Sequence, residues 1–144
     1  MGDAIEKFPP DIFRSLPMRL AECAAKLALD HGLERQLRSK FYAGYLIGYA
    51  SELGAIDEAY GAAVRDLLFA KTFGEKTGNA LFDAARHLCE VGERQVVEGM
   101  RQGEIDGRTF LASATNGILD YATDALAVAF EMKRIDQSAV IDLD

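Results

Sequence analysis

The chain has 144 residues and a mass of 15.7 kDa, which is the size of one ordinary domain. Hydrophobic residues make up 49% and charged residues 27%, and only 3 prolines accompany the 13 glycines, which excludes collagen-like and broadly disordered classes. The formal net charge of −7 argues against direct binding to nucleic acid, because phosphate contacts depend on clustered basic charge.

The charge pattern predicts neither a secretion signal nor a membrane span. The charge-free run 41–51 is shorter than the roughly 20 apolar residues that a spanning helix needs. The first residues contain no basic segment followed by an apolar run. We therefore expect a soluble cytoplasmic protein with no membrane partner, in which Cys23 and Cys89 are reduced thiols rather than a disulfide.

Apolar residues recur at spacings of three and four along most of the chain, which predicts an all-α fold. In chain order, we place five helices at about 15–30, 33–53, 57–73, 79–102 and 108–135, with the longest loop at 74–79. Residues 1–135 are predicted to form a single helical-bundle domain. The acidic tail 136–144 is predicted to fray.

Two predicted helix junctions share the sequence Gly-x-Ile-Asp, at 54–57 and at 103–106. In each, glycine would end one helix, isoleucine would pack back, and aspartate would cap the next helix. Neighbouring positions do not match, so we interpret the likeness as similar turn chemistry rather than as an internal repeat. Both segments are predicted to be short helix-to-helix connections.

The second predicted helix carries an aromatic stripe. Its members are Arg38, Tyr42, Tyr45, Tyr49 and Glu52. Tyrosine and arginine are frequent interface anchors, but buried tyrosines with bonded hydroxyls give the same pattern. The stripe is therefore core, a pocket lining or a partner-binding surface. On another side of this helix, Gly44 and Gly48 allow a close approach, and together with the uncharged run they predict a homodimer.

Charged residues form two further patterns. In the fourth predicted helix they alternate in sign, which indicates an exposed ladder of weak ion pairs made of Arg86, Glu90, Arg94, Glu98 and Arg101. In the fifth, an acidic face is either solvated or docks a basic partner; its residues are Asp120, Asp124 and Glu131. His87 lies near acidic residues at a spacing that is common by chance, so we interpret it as a residue between the buried and exposed faces of its helix rather than as a metal ligand or an acid-base catalyst.

The sequence contains no recognisable motif for phosphate binding, nucleophilic catalysis or metal binding, so we predict no cofactor and do not favour an enzyme. We predict instead a non-enzymatic protein-binding module, a regulator or inhibitor that occupies a partner protein. The predicted partner-binding residues are Arg38, Tyr42, Tyr45, Tyr49, Glu52, Asp120, Asp124 and Glu131.

Two other versions of the function stay open. The first is more specific: a small acidic blocker of a nucleic-acid-handling complex, of the kind that phages and plasmids encode, such as an anti-CRISPR-like inhibitor. It rests on analogy of size and charge. The second is a small-molecule or lipid-binding helical bundle, with or without enzymatic activity, in which the tyrosines line a cavity between helices.

Overall fold

The computed structural model describes residues 30, 32, 35–54, 58–115 and 134–143. The predicted all-α fold is confirmed as a bundle of about five helices. Within the described residues, a 3₁₀ helix at Arg35–Arg38 precedes four longer helices: α1 Lys40–Leu53, α2 Glu58–Phe73, α3 Glu75–Glu90 and α4 Arg94–Thr115. Residues 134–137 form one further helical turn, and no helix in these ranges has the length and hydrophobicity to cross a membrane.

Helix α1 begins at Lys40, later than the predicted start near residue 33. Ser39 is its N-cap, with an extended backbone, and its hydroxyl oxygen accepts a hydrogen bond from the Tyr42 amide over 3.1 Å. A capping residue has non-helical backbone angles, so Ser39 separates α1 from the 3₁₀ helix before it. The helical periodicity continues across this break, which explains why the two segments are predicted as one helix.

Helices α1 and α4 contact each other through glycines that each helix contributes to the contact. A Cβ atom added at any of these glycines would overlap backbone atoms of the opposite helix. The two backbones therefore lie closer together than side chains would permit. The glycines are Gly44 and Gly48 on α1, and Gly99 and Gly103 on α4.

The predicted junction at 103–106 is wrong, because α4 continues through it to Thr115. Gly103 faces α1, where an added Cβ would meet the Tyr45 carbonyl oxygen, so this glycine permits close packing rather than ending a helix. Ile105 is 51% exposed instead of packing back. The similar junction at 54–57 does lie between α1 and α2, as predicted.

The predicted loop at 74–79 is a single residue, because α3 begins at Glu75 directly after α2 ends at Phe73. Gly74 makes this turn with a φ of 87°, a left-handed conformation that glycine adopts without strain. Gly78 lies inside α3, where its missing side chain allows contact with the backbone of Phe69. Two glycines that resemble loop residues in the sequence therefore have different roles.

The fourth predicted helix is two helices, α3 and α4, separated by residues 91–93. Gly92 has a φ of 74°, and the Glu93 amide donates to the Leu88 carbonyl over 2.9 Å, as at many helix C-termini. The Glu93 carboxylate then accepts a bond from the Val96 amide in the first turn of α4. The break divides the predicted charge ladder between two helices, although all of its residues are exposed.

The C-terminal segment packs against the start of α1, so the predicted fraying is wrong for residues 138–141. The Lys40 amide donates to the Ala139 carbonyl over 2.8 Å, and the Ser138 hydroxyl oxygen accepts from the Phe41 amide over 3.0 Å. Ile135 and Ile141 are buried in the same core. These apolar contacts hold the segment despite the acidic residues near it.

Candidate functional site

Three tyrosines of α1 form a column inside the fold. The rings of Tyr42 and Tyr45 stack with centroids 5.8 Å apart, and the rings of Tyr45 and Tyr49 are tilted with centroids 6.1 Å apart. Each residue is only 1% exposed. A water-sized void beside these rings would leave more of their surface accessible. The column is therefore part of the packed core.

The Tyr45 hydroxyl connects this column to a chain of polar side chains. It donates to Asp106 Oδ2 over 2.6 Å, and Gln102 Nε2 donates to Asp106 Oδ1 over 3.0 Å. Arg134 Nη1 in turn donates to Gln102 Oε1 over 3.2 Å. Burial raises the pKa of the Tyr45 hydroxyl, and the adjacent Asp106 carboxylate raises it further. Tyr45 therefore remains a hydrogen-bond donor, and this network joins α1, α4 and the C-terminal segment.

The predicted partner-binding residues fall into three groups. Tyr42, Tyr45 and Tyr49 are buried, which agrees with the core alternative for the stripe, and their rings cannot contact a partner unless the fold opens. Arg38 is exposed, while the partly buried Glu52 accepts a bond from Arg108 Nη2 over 3.0 Å. The third group lies outside the described residues: Asp120, Asp124 and Glu131.

The side of α4 away from its glycines is exposed and carries a pattern of its own. Its members follow spacings of four and three, and we call them the outer face: Arg94, Glu98, Arg101, Ile105 and Arg108. Ile105, which is 51% exposed, is the large apolar side chain of this set. The end arginines make weak pairs, Arg94 with Glu98 at 4.0 Å and Arg108 with Glu52 at 3.0 Å.

A pocket of about 190 Å³ lies beside the first turns of α4, and we call it the arginine pocket. The Arg134 guanidinium carbon lies 4.3 Å from the centroid of the Phe41 ring, and both residues line the pocket. The C-terminal segment forms one wall of the pocket. Gln95 holds this segment in place, because its Oε1 accepts a hydrogen bond from the Ser138 hydroxyl over 3.0 Å. The other lining residues are Arg94, Glu98 and Gln137.

His87 and Cys89 lie near the end of α3. His87 is exposed, and Cys89 is a partly buried free thiol whose sulfur lies 3.0 Å from Met100 Sδ. In the part of the chain that the structure describes, no three histidine, cysteine, aspartate or glutamate residues are grouped so as to hold a metal ion.

Sequence reasoning missed the residues that connect the site. Tyr45 and Asp106 are 61 positions apart, so no local pattern links them. A signal for the helix pair did exist: Gly99, Gly103 and Gly107 repeat at the same four-residue spacing as Gly44 and Gly48. Matching glycine spacings on two helices indicate two faces that can approach closely.

No protein-family model, curated protein or solved structure matches this chain.

Proposed function

We propose that this chain is a non-enzymatic protein-binding module that regulates or inhibits a partner protein by occupying it, and that the outer face of α4 contacts the partner. The observation that carries the proposal is the half-exposed Ile105, framed on its helix by Arg101 and Arg108. Arginine around an apolar residue is the composition of many interface centres.

The backbone contacts of α4 support this proposal, because a binding surface is more effective when it is already ordered. Gly99 and Gly103 bring the inner side of α4 against α1, and the bond from Tyr45 to Asp106 ties the same two helices together. A partner would therefore meet a helix whose position is already fixed. Binding to such a surface loses less conformational entropy than binding to a mobile segment.

The charges of the outer face favour an acidic helix as the partner. Arg94, Arg101 and Arg108 recur every seven residues, with Glu98 as the acidic member, on a chain whose net charge is −7. Spacings of four and three are those at which one helix packs along another. Exposed ion pairs contribute only about 0–1 kcal/mol, so partner carboxylates can replace Glu52 and Glu98 at little cost.

The two other versions of the function have less support. A tyrosine-lined cavity for a small molecule or lipid conflicts with rings that are 1% exposed. The more specific version, a blocker of a nucleic-acid-handling complex, stays a prediction from size and charge. Identifying the molecule that the chain binds would distinguish these two versions from each other and from the leading proposal.

The test uses the purified chain as bait in cell extract, followed by affinity measurement with the captured protein. We expect Ile105→Asp and Arg101→Glu each to weaken binding at least tenfold, because truncating interface anchors costs about 2 kcal/mol. Arg86→Glu is the matched control, since Arg86 is an exposed arginine on α3. It should bind nearly as well as the unchanged protein.

Circular dichroism must show that all three variants are folded. If the captured protein binds Ile105→Asp and Arg101→Glu as tightly as the unchanged chain, the outer face is not the interface. A stronger loss with Arg86→Glu would also contradict the proposal and would place the contact on α3.

A further inference from the structure

The C-terminal segment, residues 134–143, contacts the rest of the chain in the way that a short peptide contacts its groove. One helical turn is followed by a stretch that forms a β-bridge from Val140 to Ser39. Every third side chain from 135 to 141 is buried, and the residues between them are exposed or half-exposed. The buried residues are Ile135, Ser138 and Ile141.

The segment completes the N-terminus of α1. The first amide groups of an α-helix have no partners within the helix. Here the Lys40 amide donates to the Ala139 carbonyl, and the Phe41 amide donates to the Ser138 hydroxyl oxygen. If the segment leaves, both amides lose their acceptors. The groove therefore favours an occupant that supplies a carbonyl and a hydroxyl at these positions.

Two glutamine side chains hold the segment mostly by its main chain. Gln36 Nε2 donates to the carbonyls of Asp136 and Ser138 over 2.8 Å and 3.2 Å. Gln95 Oε1 accepts from the Ala139 amide over 2.9 Å, as well as from the Ser138 hydroxyl. Main-chain contacts of this kind do not depend on the side chains of the bound segment. Specificity then depends on the three buried positions.

The close contact between α1 and α4 is made by residues of those two helices. Their glycines pack backbone against backbone, and the Tyr45 hydroxyl donates to Asp106. The segment is anchored by three buried side chains and a few hydrogen bonds, so it can detach while α1 and α4 stay packed. Proteins commonly open in such local units at a lower free-energy cost than global unfolding.

We propose that this groove is a peptide-binding site, which the C-terminal segment occupies within its own chain and from which it detaches as a unit. The occupant that replaces it is a segment of a partner protein with the same pattern: isoleucine, two residues, serine, two residues, isoleucine. A linked segment competes at an effective concentration of about millimolar order, so only a segment that fits the pattern displaces it. This inference does not rest on the outer face of α4.

The first experiment measures amide hydrogen exchange in the intact chain under native conditions. The amides of Ala139 and Ile141 report release of the segment, because they donate to Gln95 Oε1 and to the Arg38 carbonyl. The Leu46 amide, inside α1, reports opening of the helices. We expect the two segment amides to exchange at least about a hundredfold faster than Leu46. Low denaturant concentrations should change their rates little, because local release exposes little surface.

Gly48→Ala shows whether the segment opens independently of the helices. The added Cβ weakens the contact between α1 and α4, which is present both in the closed chain and after local release. Exchange at Leu46 should therefore become at least about tenfold faster, while exchange at Ala139 and Ile141 stays unchanged. If all three amides exchange at one rate with one denaturant dependence, the segment leaves only on global unfolding and the proposal is overturned.

The second experiment supplies the segment as a separate molecule. A fluorescent peptide of residues 134–143 is titrated with the unchanged chain and with Ser138→Ala, whose own segment lacks the acceptor for the Phe41 amide. Ser138→Ala should bind the peptide at least about tenfold more tightly, because its own segment competes less. Circular dichroism checks that this variant is folded. Ile141→Val weakens the segment in a second way and should also bind the peptide more tightly than the unchanged chain does.

Peptide variants test the pattern itself. The peptide with Ile141→Ser should lose binding at least about tenfold, because it removes a buried apolar side chain. The peptide with Gln137→Ser is the matched control, since Gln137 is exposed, and it should bind as the parent does. A peptide of the same composition, with the three buried residues moved out of their spacing, should not bind.

The proposal is overturned if the rearranged peptide binds as tightly as the parent, or if neither Ser138→Ala nor Ile141→Val binds the parent peptide. These outcomes are separate from failure of the proposed function. Arg101 and Ile105 make none of the contacts that define the groove, so Arg101→Glu and Ile105→Asp should leave peptide binding unchanged even where they abolish capture of a partner protein.

Discussion

The Tyr45 hydroxyl crosses from α1 to α4, where it donates to Asp106 over 2.6 Å. A hydrogen bond to a charged acceptor contributes about 1.5–3 kcal/mol, and removing the donor leaves a partly buried carboxylate with one partner fewer. We expect Tyr45→Phe to lower the free energy of unfolding by about 1–3 kcal/mol in denaturant titrations. The variant should still fold, because Gln102 continues to donate to the same carboxylate.

A double-mutant cycle with Asp106→Asn isolates the contribution of this bond. The sum of the stability losses in the two single variants should exceed the loss in the double variant, because each single variant already removes the same interaction. Simple additivity within about 0.5 kcal/mol would mean that the two groups stabilise the fold independently.

The same hydroxyl makes stability depend on alkaline pH. Burial and Asp106 raise the pKa of Tyr45 above its ordinary 10.0, so the folded chain keeps this proton where the unfolded chain releases it. A raised pKa stabilises the fold below about pH 10, and this contribution is lost as the pH rises further, by up to about 1.4 kcal/mol per pH unit. Between pH 9 and about 11, the unchanged chain should lose stability more steeply than Tyr45→Phe. Equal slopes in the two proteins would show that Tyr45 does not retain its proton.

At the scale of elements, the contact between α1 and α4 reverses the usual effect of a helical glycine. In an exposed helix, Gly→Ala stabilises by about 1 kcal/mol. At Gly48 the added Cβ would overlap the backbone of Met100, so the two helices would have to separate. We expect Gly48→Ala to lower the free energy of unfolding by about 2–3 kcal/mol, and Gly48→Leu by more.

Gly107→Ala is the matched control on α4. Its Cβ would have its nearest contacts at 3.0 Å, with the Glu52 Cβ and the Tyr49 carbonyl oxygen, so a smaller adjustment suffices. This variant should lose clearly less stability than Gly48→Ala when both are unfolded in the same denaturant. If Gly48→Ala unfolded at a higher denaturant concentration than the unchanged chain, the close contact of the two helices would be contradicted.

The glycines also show how far the sequence predicts these elements. Helical periodicity is local, and together with the glycines that follow, Gly54 and Gly74, it predicted the end of α1 at Leu53 and the end of α2 at Phe73. A glycine, however, has the same appearance in the sequence whether it ends a helix, as near Gly92, or lies inside one, as do Gly78 and Gly103. The difference depends on which element lies opposite, which is information from the tertiary structure.

The candidate site was predictable to a similar extent. The tyrosine stripe follows from helical spacing, but its burial depends on α4, which contacts it from far along the chain. The arginine pocket combines residues of α1, α4 and the C-terminal segment. None of these segments carries a motif by itself, so the pocket exists only in the folded chain.

At the scale of the whole molecule, the uncharged run 41–51 has an explanation within one chain. Gly44 and Gly48 contact α4, and the three tyrosines are buried without a second copy. The homodimer predicted from this run stays untested, but burial of the run does not require it. The acidic face predicted at 120–131 lies outside the described residues and adds no argument for or against association.

The outer face of α4 gives a physical reason to expect a monomer. Antiparallel pairing of two copies through this face, centred on Arg101, would set Arg101 against the same residue of the second copy, and Arg94 against the second Arg108. Like charges in such contacts oppose association. We expect light scattering at micromolar concentration to give the 15.7 kDa mass of one chain. Arg101→Leu should associate more readily as concentration rises, because it removes the central repulsion and places a second apolar side chain beside Ile105. A dimer of the unchanged chain that Ile105→Asp dissociates would contradict this prediction and would make a second copy the occupant of the outer face.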